Sequence, residues 1–164
     1  MIGQRMTADE FLDLEVPERP RLWLVDGEIV VNTPNQRHQR IVGHLFSRLY
    51  TWAEAGPGRG EASIELDHKV DDRNVYAPDV WWAPAGWAAS VPAIVVEVSS
   101  PSTARFDRGI KRERYLAAGA QEVWLVDTAS EVVEIGDRVL TVGESITSSL
   151  LPGFSLSVGE LFDR

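Results

Sequence analysis

Residues 92–103 read PAIVVEVSSPST. Ala93, Ile94, Val95, Val96 and Val98 form a run that is apolar on both sides, the pattern of a strand covered on both faces. Glu97 stands in the middle of it. An ionised carboxylate among such side chains is costly unless a metal, a cation or several hydrogen bonds compensate it. Glu97 is therefore either a paired structural acid or part of a site, and its partners must come from elsewhere in the chain.

The nearest candidates flank this strand. Residues 76–83 read as a preceding strand, joined to it by a Trp- and Pro-containing loop over 84–92. If the two pair as an antiparallel hairpin with Ala83 opposite Ala93, Asp79 lies directly across from Glu97 on the same face. Cβ atoms so opposed are roughly 4.5–5.5 Å apart, and like charges placed there repel. A hard divalent cation such as Mg²⁺ or Mn²⁺, which takes carboxylate and carbonyl oxygens, would use both acids and remove the repulsion. A one-residue slip in register would separate them. On the other side, FDRGIKRERYLAAG (106–119) predicts a helix over 106–118 closed by Gly119, with Asp107, Lys111 and Tyr115 on one face. A right-handed return from the Glu97 strand lays the first half of this helix beside that strand, within reach of Lys111. The competing reading is a solvated Asp107–Lys111 pair, worth only about 0.3–0.5 kcal/mol.

Working outward, Thr7 and Glu10 form a capping box for a short first helix. RLWLV (21–25) and EIVVN (28–32) flank Asp26-Gly27, the signature of a two-residue hairpin turn. Ile41, Val42, Leu45, Phe46, Leu49 and Trp52 make the apolar stripe of a helix over 36–55 that stops before GPGRG. Strands are expected at about 61–70, 76–83 and 93–99. EVWLVD (122–127) reads as a central strand, followed by EVVEI, a Gly136-Asp137 turn and RVLTV. The closing LPGFSLSVGELFDR is expected to pack back on the rest. The fold class implied is α/β or α+β: a mixed sheet flanked by helices, with an N-terminal β-hairpin.

The 164 residues, 44% hydrophobic and 25% charged, fit a single domain spanning 1–164. There is no cysteine, which excludes disulfides, thiolate metal sites and cysteine nucleophiles and fits an intracellular, cytoplasmic protein. No run approaches the roughly 18 apolar residues of a membrane span, so no membrane partner is expected. Sixteen basic against twenty-five acidic residues give a net charge of −9, which opposes a generic DNA-coating role but not a metal enzyme whose bound cations neutralise its acidic ligands. Within this acidic chain, Arg105, Arg108, Lys111, Arg112 and Arg114 outnumber Asp107 and Glu113. Such a run either grips a phosphate backbone or is a solvated face. His38 heads the stripe of the long helix, in line with Val42, Leu45 and Leu49, placed either to bind phosphate or move a proton, or to be satisfied by nearby backbone. His44 and His68 read as surface residues. Trp87 in the 84–92 loop is the best candidate for an exposed stacking or dimer contact.

PDV at 78–80, VVEVSSPST at 95–103, Asp107, Lys111, Tyr115, GAQEVWLVD at 119–127 and LPGF at 151–154 together resemble the Uma-two family of restriction endonucleases, within the PD-(D/E)XK nuclease-like superfamily. The resemblance runs from the LVDGE hairpin to the closing segment. It implies metal-dependent hydrolysis of DNA phosphodiester bonds with Mg²⁺ or Mn²⁺, Asp79 and Glu97 as ligands together with the backbone carbonyl of Val98, and Lys111 as the catalytic lysine. Ser99 stands where the usual E-x-K lysine would be. Arg105, Arg108 and Tyr115 become the expected substrate contacts, His38 a catalytic candidate, and a homodimer the expected assembly. The chain departs from its relatives at Trp23, where they often carry glutamate; Glu28, after the turn, is the acid left nearby. The alternative is a noncatalytic nuclease-fold protein, a dimeric binding module in which Asp79, Glu97 and Lys111 are a buried ion-pair network.

Overall fold

The computed structural model describes residues 5–15, 21–32, 35–99 and 105–163, without the side chains of 21, 32 and 105–107. Thr7 caps α1 (Ala8–Leu12): its hydroxyl accepts from the Glu10 N–H at 3.2 Å, while the Glu10 carboxylate accepts from the Thr7 N–H at 2.9 Å. Strands β1 (Arg21–Val25) and β2 (Glu28–Asn32) pair antiparallel around Asp26 and Gly27. Both turn residues have positive φ, 52° and 80°, as a type I′ hairpin requires.

Asn35 caps the long helix α2 (Gln36–Glu54), accepting from the His38 N–H at 2.8 Å. Then come β3 (Glu61–Ile64), β4 (His68–Asp71), β5 (Asn74–Tyr76), β6 (Val80–Ala83), β7 (Ile94–Ser99), α3 (Arg105–Ala118) and β8 (Glu122–Asp127). The chain closes with β9 (Val132–Ile135), β10 (Arg138–Leu140), β11 (Ser145–Ile146), β12 (Leu156–Ser157) and α4 (Val158–Phe162).

The largest sheet among the described residues has the order β10-β9-β8-β7-β6-β3, and β7 and β8 at its centre run parallel, joined through α3. A second, antiparallel sheet has the order β2-β1-β5-β4. Side-chain alternation divides the large sheet's two faces. Val80, Trp82, Ile94, Val96, Val98, Trp124 and Val126 pack against Ile41, Val42, Leu45 and Leu49 of α2 and Leu161 and Phe162 of α4. On the opposite face Val95, Val123 and Leu125 meet Tyr115 of α3 and Tyr76 and Val70 of the second sheet. Glu97 shares the parity of Val95 and faces this second layer. The closing segment packs back as expected, with Leu151, Phe154, Leu156 and Leu161 all buried.

Two expected strands are corrected. The strand at 61–70 is broken because Glu65 and Leu66 adopt positive φ, 55° and 75°, which turns the chain from β3 in the large sheet to β4 in the small one. The strand at 76–83 is likewise divided: Tyr76 ends β5, and Ala77-Pro78-Asp79 carries the chain across to β6. Arg114 of α3 ties the small sheet to this helix. Its guanidinium donates to Asn74 Oδ1 at 2.9 Å, the Tyr76 hydroxyl at 2.8 Å and Asp26 Oδ1 at 2.8 Å. Replacing it with alanine removes a charged, partly buried three-way link, so Arg114→Ala should lower unfolding stability by about 1.5–3 kcal/mol in urea titrations; an unchanged midpoint would contradict this role.

Candidate active site

The β6–β7 register places the two acids together. Val80 opposes Val96, Trp81 opposes Val95 and Trp82 opposes Ile94, which continues to Asp79 beside Glu97. Asp79 lies just before β6, where its Oδ2 accepts the Val98 N–H at 2.8 Å. The same oxygen is 3.3 Å from Nε2 of His38, which the Asn35 cap holds at the start of α2. Asp79, Glu97 and His38 are all buried.

Glu97 receives its partners from α3. The Tyr115 hydroxyl donates to Oε1 at 2.7 Å, and Lys111 Nζ stands 3.9 Å from Oε2. The latter distance gives Coulomb attraction without a hydrogen bond. Lys111, its side chain only 13% exposed, lies with Nζ 3.6 Å from the ring centroid of Trp23 and 5.2 Å from that of Tyr76. Strand alternation explains the encounter: Leu24 points to Ala8, Phe11 and Val75, so Trp23 and Val25 point the other way, toward α3. Nε1 of Trp23 is buried and finds no hydrogen-bond partner among the described residues.

The remaining expected site residues are placed differently. Tyr115, expected at the substrate surface, is fully buried and orients Glu97 instead. Arg108 pairs with Asp127, Nη1 to Oδ2 at 3.0 Å, which ties its guanidinium to the end of β8. Partial burial works against that carboxylate, yet the Ser130 and Ala129 N–H groups and Arg108 hold the Asp127 pKa below its ordinary value. The side chains of Arg105 and Asp107 lie outside the described residues, as does the SPST stretch at 100–103. Glu28 is exposed where β2 leaves the turn, opposite Val25. The Ser99 hydroxyl is buried and donates to the Val126 carbonyl at 3.3 Å.

Trp87 is half-buried against the core and donates to the Val91 carbonyl at 2.8 Å, which removes it as an exposed stacking residue. Trp81 and Trp82 are buried with Nε1 on the Glu65 and Arg59 carbonyls. His68, expected at the surface, packs edge-on against Trp81, and burial lowers its pKa. Sequence reasoning missed the ring contacts of Trp23 and Tyr76 with Lys111. The available signal was the parity of Trp23 in RLWLV, opposite in sense to Leu22 and Leu24.

Among the described residues no three His, Asp or Glu side chains gather as a metal cluster. Two carboxylates nonetheless suit Mg²⁺ or Mn²⁺, since such ions are often held by one or two carboxylates and complete their shells with water and substrate phosphate. Burial raises the Glu97 carboxyl from 4.5 to about 7, with Asp79 adding to the rise, while Lys111, the Tyr115 hydroxyl and His38 pull it back. A further positive neighbour would favour the ionised form of Glu97.

The folded protein retains the Glu97 proton between about pH 4.5 and 7, where the unfolded chain has lost it, so stability from this group is intact at acid pH and declines as pH rises through that window. Above it, the wild type carries the whole cost of ionising a buried acid, about 3 kcal/mol at 1.36 kcal/mol per unit. In chelator, Glu97→Gln should gain stability over wild type progressively from pH 4.5 to 7 in thermal melts. Parallel melting curves for the two proteins would contradict the raised value.

A solved structure from Anabaena variabilis, described as a putative nuclease belonging to DUF820, superposes with a TM-score of 0.80 over 96% of this chain and 97% of that one, at 21% sequence identity. That likeness establishes the nuclease-like fold. No curated protein matches the sequence. The family model Uma2, described as "Putative restriction endonuclease", matches residues 8–159, nearly the whole chain, and the protein belongs to that family.

Proposed function

We propose that this chain is a metal-dependent endonuclease of the PD-(D/E)XK type that hydrolyses DNA phosphodiester bonds. The observation that carries the reading is the burial of two acids at neighbouring strands of one sheet, with a lysine that approaches Glu97 without closing a hydrogen bond. Asp79 and Glu97 would hold Mg²⁺ or Mn²⁺, with the Val98 carbonyl as a further oxygen donor. Bound there, the ion would supply Lewis-acid stabilisation of charge developing on the phosphate.

The chain's own residues divide the remaining work. The Val98 N–H and His38 fix Asp79, and the Tyr115 hydroxyl fixes Glu97, so the acids are preorganised before substrate arrives. Lys111 orients the attacking water through its N–H donors and stabilises negative charge as the new O–P bond forms and the bond to the leaving oxygen breaks. The family description supports DNA as the substrate class.

Three substitutions test the reading. In supercoiled-plasmid cleavage with Mn²⁺, Asp79→Asn, Glu97→Gln and Lys111→Met should each reduce the rate by at least about a hundredfold, with cooperative unfolding retained. Chelator should abolish wild-type cleavage. Full activity in the Glu97 variant, or metal-independent cleavage by the wild type, would refute the mechanism, and a well-folded wild type without cleavage would favour a noncatalytic ion-pair network.

A further inference from the structure

We infer that Trp23 is a positioning residue: its indole face, with Tyr76 beside it, is the seat of the Lys111 ammonium and fixes that amine next to Glu97. What the amine does rests on the nuclease reading above; where it sits does not. The ammonium lies 3.6 Å from the Trp23 centroid, well inside the roughly 6 Å reach of a cation–π contact. It is closer to that centroid than to the nearest Glu97 oxygen, at 3.9 Å. Largely buried, the ammonium has lost much of its hydration, which is the condition under which an aromatic face attracts a cation most strongly.

Two further observations separate this seat from incidental packing. Nε1 of Trp23 is buried without a hydrogen-bond partner among the described residues, so the indole is placed by its face rather than by its N–H. Tyr76 is held in turn, by a hydrogen bond to Asn74 at 3.0 Å, by Arg114 and by an edge-on contact with Tyr115, and is a rigid second wall. The chemical consequence is specific. A carboxylate in the place of Trp23 would occupy N–H donors of the lysine and neutralise it, whereas a π face holds the charge and leaves those donors for water and phosphate.

The chain contains two lysines, Lys69 and Lys111, so selective lysine labelling gives two side-chain signals that can be told apart with Lys111→Met. The methylene next to Nζ of Lys111 should appear upfield in NMR spectra through the ring current of Trp23. That shift should vanish in Trp23→Leu and survive in Trp23→Phe. In cleavage assays with Mn²⁺, Trp23→Leu should lower kcat about tenfold with KM nearly unchanged, and Trp23→Phe should recover most of the loss. Because the leucine variant could misfold, fluorotryptophans placed at position 23 alone provide a shape-preserving series, and kcat should fall stepwise as fluorine weakens the ring's negative face.

Two ordinary lysine signals in the wild type would overturn the seat. Unchanged kcat along the fluorinated series, with wild-type cleavage intact, would overturn the positioning role and leave the nuclease reading standing. A shifted Lys111 signal in a wild type that cleaves nothing would uphold the seat but refute the nuclease reading and the positioning role with it.

Discussion

The electrostatic tension between Asp79 and Glu97 governs the arrangement around them. Two acids lie side by side at neighbouring strands of one sheet, both nearly inaccessible to solvent. Each is fixed by a donor from a different element: the Val98 N–H of the neighbouring strand for Asp79, the Tyr115 hydroxyl of α3 for Glu97. His38 at the head of α2 and Lys111 in α3 bring positive or protonatable groups to the same place. Evolution of a purely structural core would more simply put apolar side chains at both positions, since replacing buried ion pairs by well-packed hydrophobes is often neutral or stabilising.

The two-layer construction explains how the site is held. α2 and its apolar partners support one face of the large sheet, while the small sheet and α3 close the other. Glu97 projects into that second layer, and the lysine that meets it is braced by rings from the small sheet rather than by the strand it serves. The hairpin and β5 are therefore part of the site's scaffold. Arg114, bridging α3 to Asn74, Tyr76 and Asp26, couples the position of the lysine-bearing helix to that of the ring-bearing strands.

Much of this was legible in the sequence where local rules and tertiary structure agree. Asp26-Gly27 specified its turn, Thr7 and Glu10 their capping box, and the apolar stripe of α2 its buried face. The parity of VVEV, paired with VWWA across the 84–92 loop, brought Asp79 to Glu97, and helix spacing brought Lys111 and Tyr115 to one side. Other features depend on contacts that local pattern does not encode. Nothing in Glu65-Leu66 announces a backbone reversal; it is accompanied by a hydrogen bond from the Trp81 indole to the Glu65 carbonyl. Arg108 looked available for phosphate because its partner, Asp127, arrives only when β8 lies parallel to β7. Trp23 looked like a lost acid until the side chain over which Lys111 rests could be identified.

The most direct measurement is an anomalous difference map from crystals soaked in Mn²⁺. The account predicts a peak within about 2.0–2.6 Å of oxygens from both Asp79 and Glu97, with Lys111 remaining on the Trp23 ring. No peak at these acids, with Lys111 instead drawn into hydrogen bonds to both, would contradict it.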